Sequence, residues 1–213
     1  MKRIGILGSG VVGKTLAQGF VDKGYEVQLA SRDPAKLEDW KNDVGNSIEL
    51  TSFEDTAAFG DILILAVQGR SALAALDLCG PINLENKTII DATNPISDEA
   101  PENGMVNFFT NNDQSLMELL QHVHPKANFV KAFNSIGSAH MVDPIFELKP
   151  TMFICGDNEN AKKETSVILD QFGWEVEDMG SSRSARVIEP LCILWCIPGF
   201  LGNQWNHAFK LLK

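Results

Sequence analysis

The sequence predicts an α/β fold with a doubly wound, mostly parallel sheet, a single domain with a C-terminal helical elaboration. Three observations lead there. Short apolar runs, suited to strands buried on both faces, alternate with segments of helical periodicity, and that alternation implies parallel crossovers. A glycine-rich turn joins the first apolar run to the first helix. The chain has 213 residues, 44% hydrophobic and 22% charged, which suits one ordinary globular core.

The elements follow in order. Arg3–Gly8 reads as a buried strand that runs into Gly8-Ser9-Gly10-Val11-Val12-Gly13 and then a helix over Lys14–Val21. Gly24 ends that helix, and Tyr25–Ala30 alternates as a second strand. This is a GxGxxG motif in its required setting of strand, turn, helix and strand. Gly8 permits the tight turn, Gly10 lets the backbone approach a pyrophosphate, and Gly13 lets helix pack on strand, while the helix N-terminus presents free N–H groups to the anion. The fold expected is therefore of the Rossmann type, binding a dinucleotide.

The end of the second strand selects the dinucleotide. A site for NAD places Asp or Glu there to accept from the ribose 2′-OH. Here the segment is Ala30-Ser31-Arg32-Asp33-Pro34-Ala35-Lys36. Arg32 can fork onto a 2′-phosphate, Ser31 can donate a hydrogen bond, and Lys36 adds charge one turn away. NADP(H) is favoured, with Lys14 and Thr15 as lesser helpers near the phosphates. Asp33 is expected to cap a helix that begins at Pro34.

Further strands are expected at Ser47–Leu50, Asp61–Val67, Lys87–Asp91, Ala127–Lys131, Met152–Cys155 and Trp174–Glu177. Helices are expected at Phe53–Phe59, Ser71–Leu78, Asp113–Val123, Ala161–Phe172 and Arg183–Trp195, the last ending before Pro198-Gly199. Residues 96–112 read as an ordered loop or flap. The strand ends at Ala66-Val67-Gln68 and Ala92-Thr93-Asn94-Pro95 fall at the carboxyl edge, the crevice where such sheets bind ligands, so they should approach the nicotinamide half.

Charge narrows the partners. Against 18 Lys and Arg stand 28 Asp and Glu, a net charge of −10, which argues against duplex nucleic acid. The acid is concentrated in residues 51–180, whereas the first fifty residues are balanced and residues 181–213 are basic. No export signal is evident at the N-terminus, and the apolar stretch near Leu191–Leu201 is too short to span a bilayer. A cytoplasmic protein with reduced cysteines and no membrane partner is expected. The HxH pair at His122 and His124 lacks a third ligand and reads as a solvated helix end, so no metal is expected. Cys192 and Cys196, one helical turn apart, read as core or pocket lining.

Taken in order, Gly8–Gly13, Ser31-Arg32-Asp33-Pro34, Asp91–Pro95, Lys131-Ala132-Phe133-Asn134 and Ser182–Leu191 resemble the coenzyme F420-dependent NADP oxidoreductase family. The cytosolic oxidoreductase domain of the six-transmembrane ferric reductases looks like a relative. The resemblance spans nearly the whole chain. It implies hydride transfer between NADP(H) and a ring acceptor: F420, FMN or FAD. It also implies that Ser9, Ser31, Arg32 and Lys36 hold the adenosine phosphate end. Residues 1–132 would form the dinucleotide-binding core, and 133–213 an extension that completes the acceptor pocket around Leu191–Trp195. Phe133, Asn134, Ser135 and Ile136 would adjoin the nicotinamide and the acceptor. A hydrogen bond donated by Asn134 or Ser135 to the acceptor ring would stabilise developing negative charge.

Hydride transfer between planar rings asks little acid–base chemistry of a protein, in keeping with a sequence that offers no triad or paired carboxylates. His140, Arg183 and Arg186 stand between substrate contact and a surface role. Trp195 and Trp205 could stack on a flavin-like ring, pack internally or form a homodimer interface. Two other functions remain open. One is an NADP(H)-sensing module without catalysis, which an open surface beside Phe133 would favour. The other is an imine or keto reductase of the hydroxyacid-dehydrogenase kind, for which few residues remain after the last strand.

Overall fold

A computed structural model describes residues 2–44 and 47–213. Its central sheet has six strands: β1 (Arg3–Leu7), β2 (Glu26–Ala30), β3 (Ile48–Thr51), β4 (Ile62–Leu65), β5 (Thr88–Asp91) and β6 (Asn128–Lys131). They lie in the order β3-β2-β1-β4-β5-β6, and every pairing is parallel. Parallel strands need crossovers, and helices on both faces supply the apolar cover. On one face α1 (Val11–Asp22) and α6 (Glu159–Gln171) bury Leu16, Phe20, Ile168 and Leu169. On the other, α3 (Phe53–Phe59), α4 (Ala72–Cys79) and α5 (Leu116–Val123) bury Phe53, Leu76, Leu116 and Leu120. All four residues of β4 and of β5 are buried, which is why β4 reads as an unbroken apolar run and β5 carries Ile89-Ile90 between two buried polar ends.

Register sets the level of the site. Leu7 pairs with Ala30 and Leu65, Leu65 with Asp91, and Asp91 with Lys131. The loops after β1, β2, β4, β5 and β6 therefore leave the sheet at one height. The strand order reverses between β1 and β4, and that is where a crevice opens.

Three segments depart from the sequence-based expectation. Asp33 heads a short 3-10 turn, Pro34–Leu37, that runs into α2 (Glu38–Val44). Its carbonyl accepts from the Lys36 N–H, but its carboxylate pairs with the Lys36 ammonium at 3.0 Å, so the helix cap expected of it is replaced by an ion pair. The strands expected after residue 150 form their own two-stranded parallel sheet, β7 (Thr151–Ile154) with β8 (Glu175–Asp178), joined to β6 through a bridge between Lys131 and Cys155. The single helix expected over Arg183–Trp195 is instead α7 (Ala185–Ile188) followed by α8 (Leu191–Gly202), which continues through Pro198. Asn203, at φ 51°, ends α8 by donating its N–H to the Gly199 carbonyl.

This last difference sets the apolar run Leu191–Leu201 within a longer stretch of helical backbone. Helical backbone extends over Ser182–Gly202, 21 residues with a mean hydropathy of 1.4 in its most apolar window, enough by length and composition alone to cross a membrane. A third of that window is buried against the domain. Residues 203–213 then fold back, with the Thr151 N–H bonded to the Phe209 carbonyl and Lys210 and Lys213 paired to Glu175 and Glu177 of β8.

Candidate functional site

The glycine turn after β1 is built by close contact. Gly8 adopts φ +122°, and a Cβ there would lie 2.5 Å from the Ala66 carbonyl oxygen. A Cβ on Gly13 would lie 1.9 Å from the Gly8 oxygen. Gly10 differs: a Cβ on it would meet nothing within 4 Å, so the protein itself does not demand glycine there. A ligand lying on that backbone would. No side chain caps the N-terminus of α1 and no acid occupies its first turn, so its amides and helix dipole are left for an anion.

A cavity of about 380 Å³ lies over this turn. Gly8, Ser9 and Gly10 form its floor, Ser31 and Arg32 one side, Ala66, Val67 and Gln68 the other, and Phe53, Ala74 and Leu78 an apolar wall. Ser9 Oγ donates to Ser31 Oγ at 3.2 Å, and Ser31 Oγ accepts the Asp33 N–H, so the glycine turn and the β2 loop are tied together. Arg32 is exposed and has no ion-pair partner among the described residues. Lys36 does not line the cavity, and its exposed ammonium is held by Asp33. Lys14 lies 5.2 Å over the Trp40 ring rather than beside the turn. Of the two valines of the motif, Val11 is exposed at the turn and Val12 packs against the core.

A second cavity, about 280 Å³, shares Val67 and Gln68 with the first and continues along the strand ends. Arg70, Thr93, Asn94 and the flap residues Ser97 and Asp98 enclose it. Arg70 bonds Gln68 Oε1 and forms an ion pair with Asp98, so the flap is tied to the β4 loop. The flap is ordered by its own ladder: Phe109 donates to the Pro95 carbonyl and Ser97 to that of Asn107. Pro95 is buried at its root.

Behind this cavity lies the loop after β6. Phe133 takes φ +63°, a strained value for a side chain of this size, and its ring is fully buried 6.0 Å from Phe172. Asn134 and Ser135 are also buried. The Asn134 amide donates to the Ile188 carbonyl at 2.9 Å and to Asn94 Oδ1 at 3.3 Å, while its backbone carbonyl accepts from Asn94 Nδ2 at 2.7 Å. Both hydrogens of its side-chain amide are thus spent inside the fold rather than on an acceptor ring. Its Oδ1 is buried without a partner.

Sequence reasoning did not find the group beneath these loops. Lys131, fully buried, lies 2.6 Å from Asp91 Oδ2 and 2.9 Å from Glu189 Oε1, and it donates to the Thr93 carbonyl at 3.0 Å. Burial pushes the Lys131 ammonium toward losing its proton, but the two carboxylates outweigh that and hold its pKa above the ordinary value. Glu189 also accepts the N–H groups of Leu116 and Met117 at the start of α5, 3.0 Å each. The available signal was Asp91 and Lys131 ending two neighbouring strands whose middle residues, Ile89-Ile90 and Phe129-Val130, are apolar.

Other candidates resolve as structural. Arg186 forks onto Glu118, and His140 packs beside the Phe146 ring. Cys192 and Trp195 face inward from α8. Trp195 stacks on His207, donates to the His207 carbonyl and packs so closely on Gly137 that a Cβ there would lie 2.6 Å from its ring. Trp205 packs against Trp195 and Phe200. Among the described residues no group of three His, Cys, Asp or Glu could hold a metal.

Known proteins share this arrangement. A crystal structure from Arthrobacter sp. FB24, provisionally described as an F420-dependent NADP-reductase, superposes with a TM-score of 0.93 at 31% identity, with both chains covered completely. The family model "NADP oxidoreductase coenzyme F420-dependent" matches residues 3–95. The chain belongs to the F420-dependent NADP oxidoreductase family. The F420-dependent NADP reductase of Methanocaldococcus jannaschii is 23% identical over 85% of this chain and 87% of its own length. The metalloreductase STEAP3 of Rattus norvegicus is 29% identical over 93% of this chain, which spans only 39% of that protein's length. The chain shares with that family a Rossmann-type α/β unit.

Proposed function

We propose that this protein oxidises NADPH and passes the hydride to a planar acceptor of the flavin or deazaflavin type, F420, FMN or FAD. The observation that carries the cofactor half is the larger cavity: a Gly10 face open to a ligand, an uncapped helix N-terminus, and Ser31 with Arg32 where a carboxylate would exclude a 2′-phosphate. These residues fit NADPH. The α1 amides would hold the pyrophosphate and Arg32 the 2′-phosphate. Phe53, Ala74 and Leu78 would offer the adenine an apolar face. Lys36 would join Arg32 only by releasing Asp33.

When bound, the nicotinamide supplies the hydride. The second cavity would then receive it together with the acceptor, and the residues around it position and exclude water. Asn94 and Asn134, locked to each other, fix the walls; the Arg70–Asp98 pair closes the flap side. The buried surroundings of residues 132–136 do not offer the open surface that a sensing module would use. The test is to add F420, FMN or FAD to the protein with NADPH and follow the nicotinamide absorbance. Turnover with one ring acceptor is expected; tight NADPH binding with no oxidation by any of them would turn the assignment to sensing.

A further inference from the structure

The ion group beneath the second cavity does more than brace the loops. It holds one ammonium and two carboxyl groups, all buried. Every partner of both carboxyl groups is a donor. Asp91 takes the Thr93 N–H, the Thr93 hydroxyl and Lys131, and Glu189 takes Lys131 and the N–H groups of Leu116 and Met117. Two carboxyl groups thus meet one ammonium, a formal net charge of −1. The α5 N-terminus offsets part of it. Asp91 and Lys131 meet at the ends of β5 and β6, and Lys131 and Asp91 both bond Thr93, which lines the cavity.

We infer that the Asp91–Lys131–Glu189 group is an electrostatic positioning element that favours the oxidised cofactor during hydride donation. The inference rests on the proposed NADPH reading of the site. Loss of a hydride, two electrons with one proton, leaves the nicotinamide ring with a positive charge that the reduced ring lacks, and the ring acceptor gains the pair. A fixed negative charge under the cavity stabilises the cationic ring of the bound oxidised cofactor relative to the neutral reduced ring. Chains that need only bracing could use an apolar residue at 131, since replacing buried ion groups by packed apolar ones is often neutral for stability.

The test compares equilibrium affinities for NADP⁺, NADPH and adenosine 2′,5′-bisphosphate, which has no nicotinamide, by calorimetric titration. A unit charge felt over roughly 10–15 Å at an effective dielectric near 20 changes an equilibrium by about six- to fifteenfold. Glu189→Gln should weaken NADP⁺ relative to NADPH by that order and leave the bisphosphate unchanged. Asp91→Asn should shift the same ratio in the same direction, and serves if Glu189→Gln does not fold. The unmodified protein provides an independent reading, because it should bind NADP⁺ at least as tightly as NADPH. An unchanged ratio in a folded variant, or wild-type protein that prefers NADPH tenfold, overturns the inference. Failure to bind either nucleotide or the bisphosphate would instead sink the NADP reading itself.

Discussion

The α-carbon of Gly13 packs against Gly8 so tightly that a single added carbon would lie 1.9 Å from the Gly8 carbonyl oxygen, whereas the same carbon on Gly10 would touch no protein atom. The two glycines of one motif therefore answer to different demands, Gly13 to the fold and Gly10 to the ligand. Overpacking of this kind costs about 1–3 kcal/mol. Gly13→Ala should lower the melting temperature by about 5 °C or more. Gly10→Ala should melt like the parent and bind NADPH at least roughly tenfold more weakly, the loss of about 1.4 kcal/mol. Thermal melts beside NADPH titrations check both; a Gly10→Ala protein with parental affinity would remove the pyrophosphate from this turn.

Arg32 lines the larger cavity and has no ion-pair partner among the described residues, which leaves its guanidinium available to a 2′-phosphate. A hydrogen-bonded charge of this kind contributes about 2 kcal/mol, or roughly thirtyfold in affinity. Arg32→Glu should lose at least that much toward NADPH and gain toward NADH, because a carboxylate accepts from a free 2′-OH and repels a phosphate. Equal affinity of the parent for NADPH and NADH, measured by fluorescence titration, would sink the assignment.

The lining of the larger cavity was legible in the sequence because much of it is local. Gly8, Gly10 and Gly13 lie within six residues, and Ser31-Arg32 follows one strand later. Strand β4 was legible for a related reason: it is buried on both faces and reads as an unbroken apolar run. The other half of the site is assembled from afar. Glu189 meets Met117 and Lys131 across 72 and 58 positions of sequence, and no spacing rule connects them. Arg186 likewise meets Glu118 across 68 positions of sequence. Pro198 was read as a helix stop, yet α8 passes through it, with Gly199 just beyond packed against the Trp205 ring. Tertiary packing overrode the local signal there.

Helix α5 makes the acid side of stability testable. Ser115 and Glu118 form a capping box at its start, and Glu118 also receives Arg186. Burial pushes the Glu118 carboxyl up, but the bonds from Arg186 and Ser115 outweigh it and hold its pKa below the ordinary value of 4.5. A lowered carboxyl pKa contributes stability that is complete above 4.5 and is lost as pH falls through the folded value. Melting temperature should therefore drop on acidification below about pH 4.5, and Glu118→Gln should flatten part of that slope. Ser115→Ala should cost about 1 kcal/mol at neutral pH, a shift of about 3 °C. Identical acid slopes for the parent and Glu118→Gln would assign the pH response elsewhere.

The four cysteines should separate cleanly by reactivity. Cys79 and Cys155 are fully buried in the core beside the α3–α5 face, and burial pushes each thiol up to about 12. At pH 8 almost none of either exists as the nucleophilic thiolate. Cys192 is raised as well, by its bond to Cys196 and by burial, and that same bond lowers Cys196. Cys196 is also only half-buried, packed at the rim beside the tail. Brief treatment of the native protein with iodoacetamide, followed by peptide mass analysis, should find Cys196 modified first and Cys79 and Cys155 protected until the domain unfolds. Early labelling of Cys79 or Cys155 at a rate near that of Cys196 would mean that the core under β4 and β5 opens far more often than its packing allows.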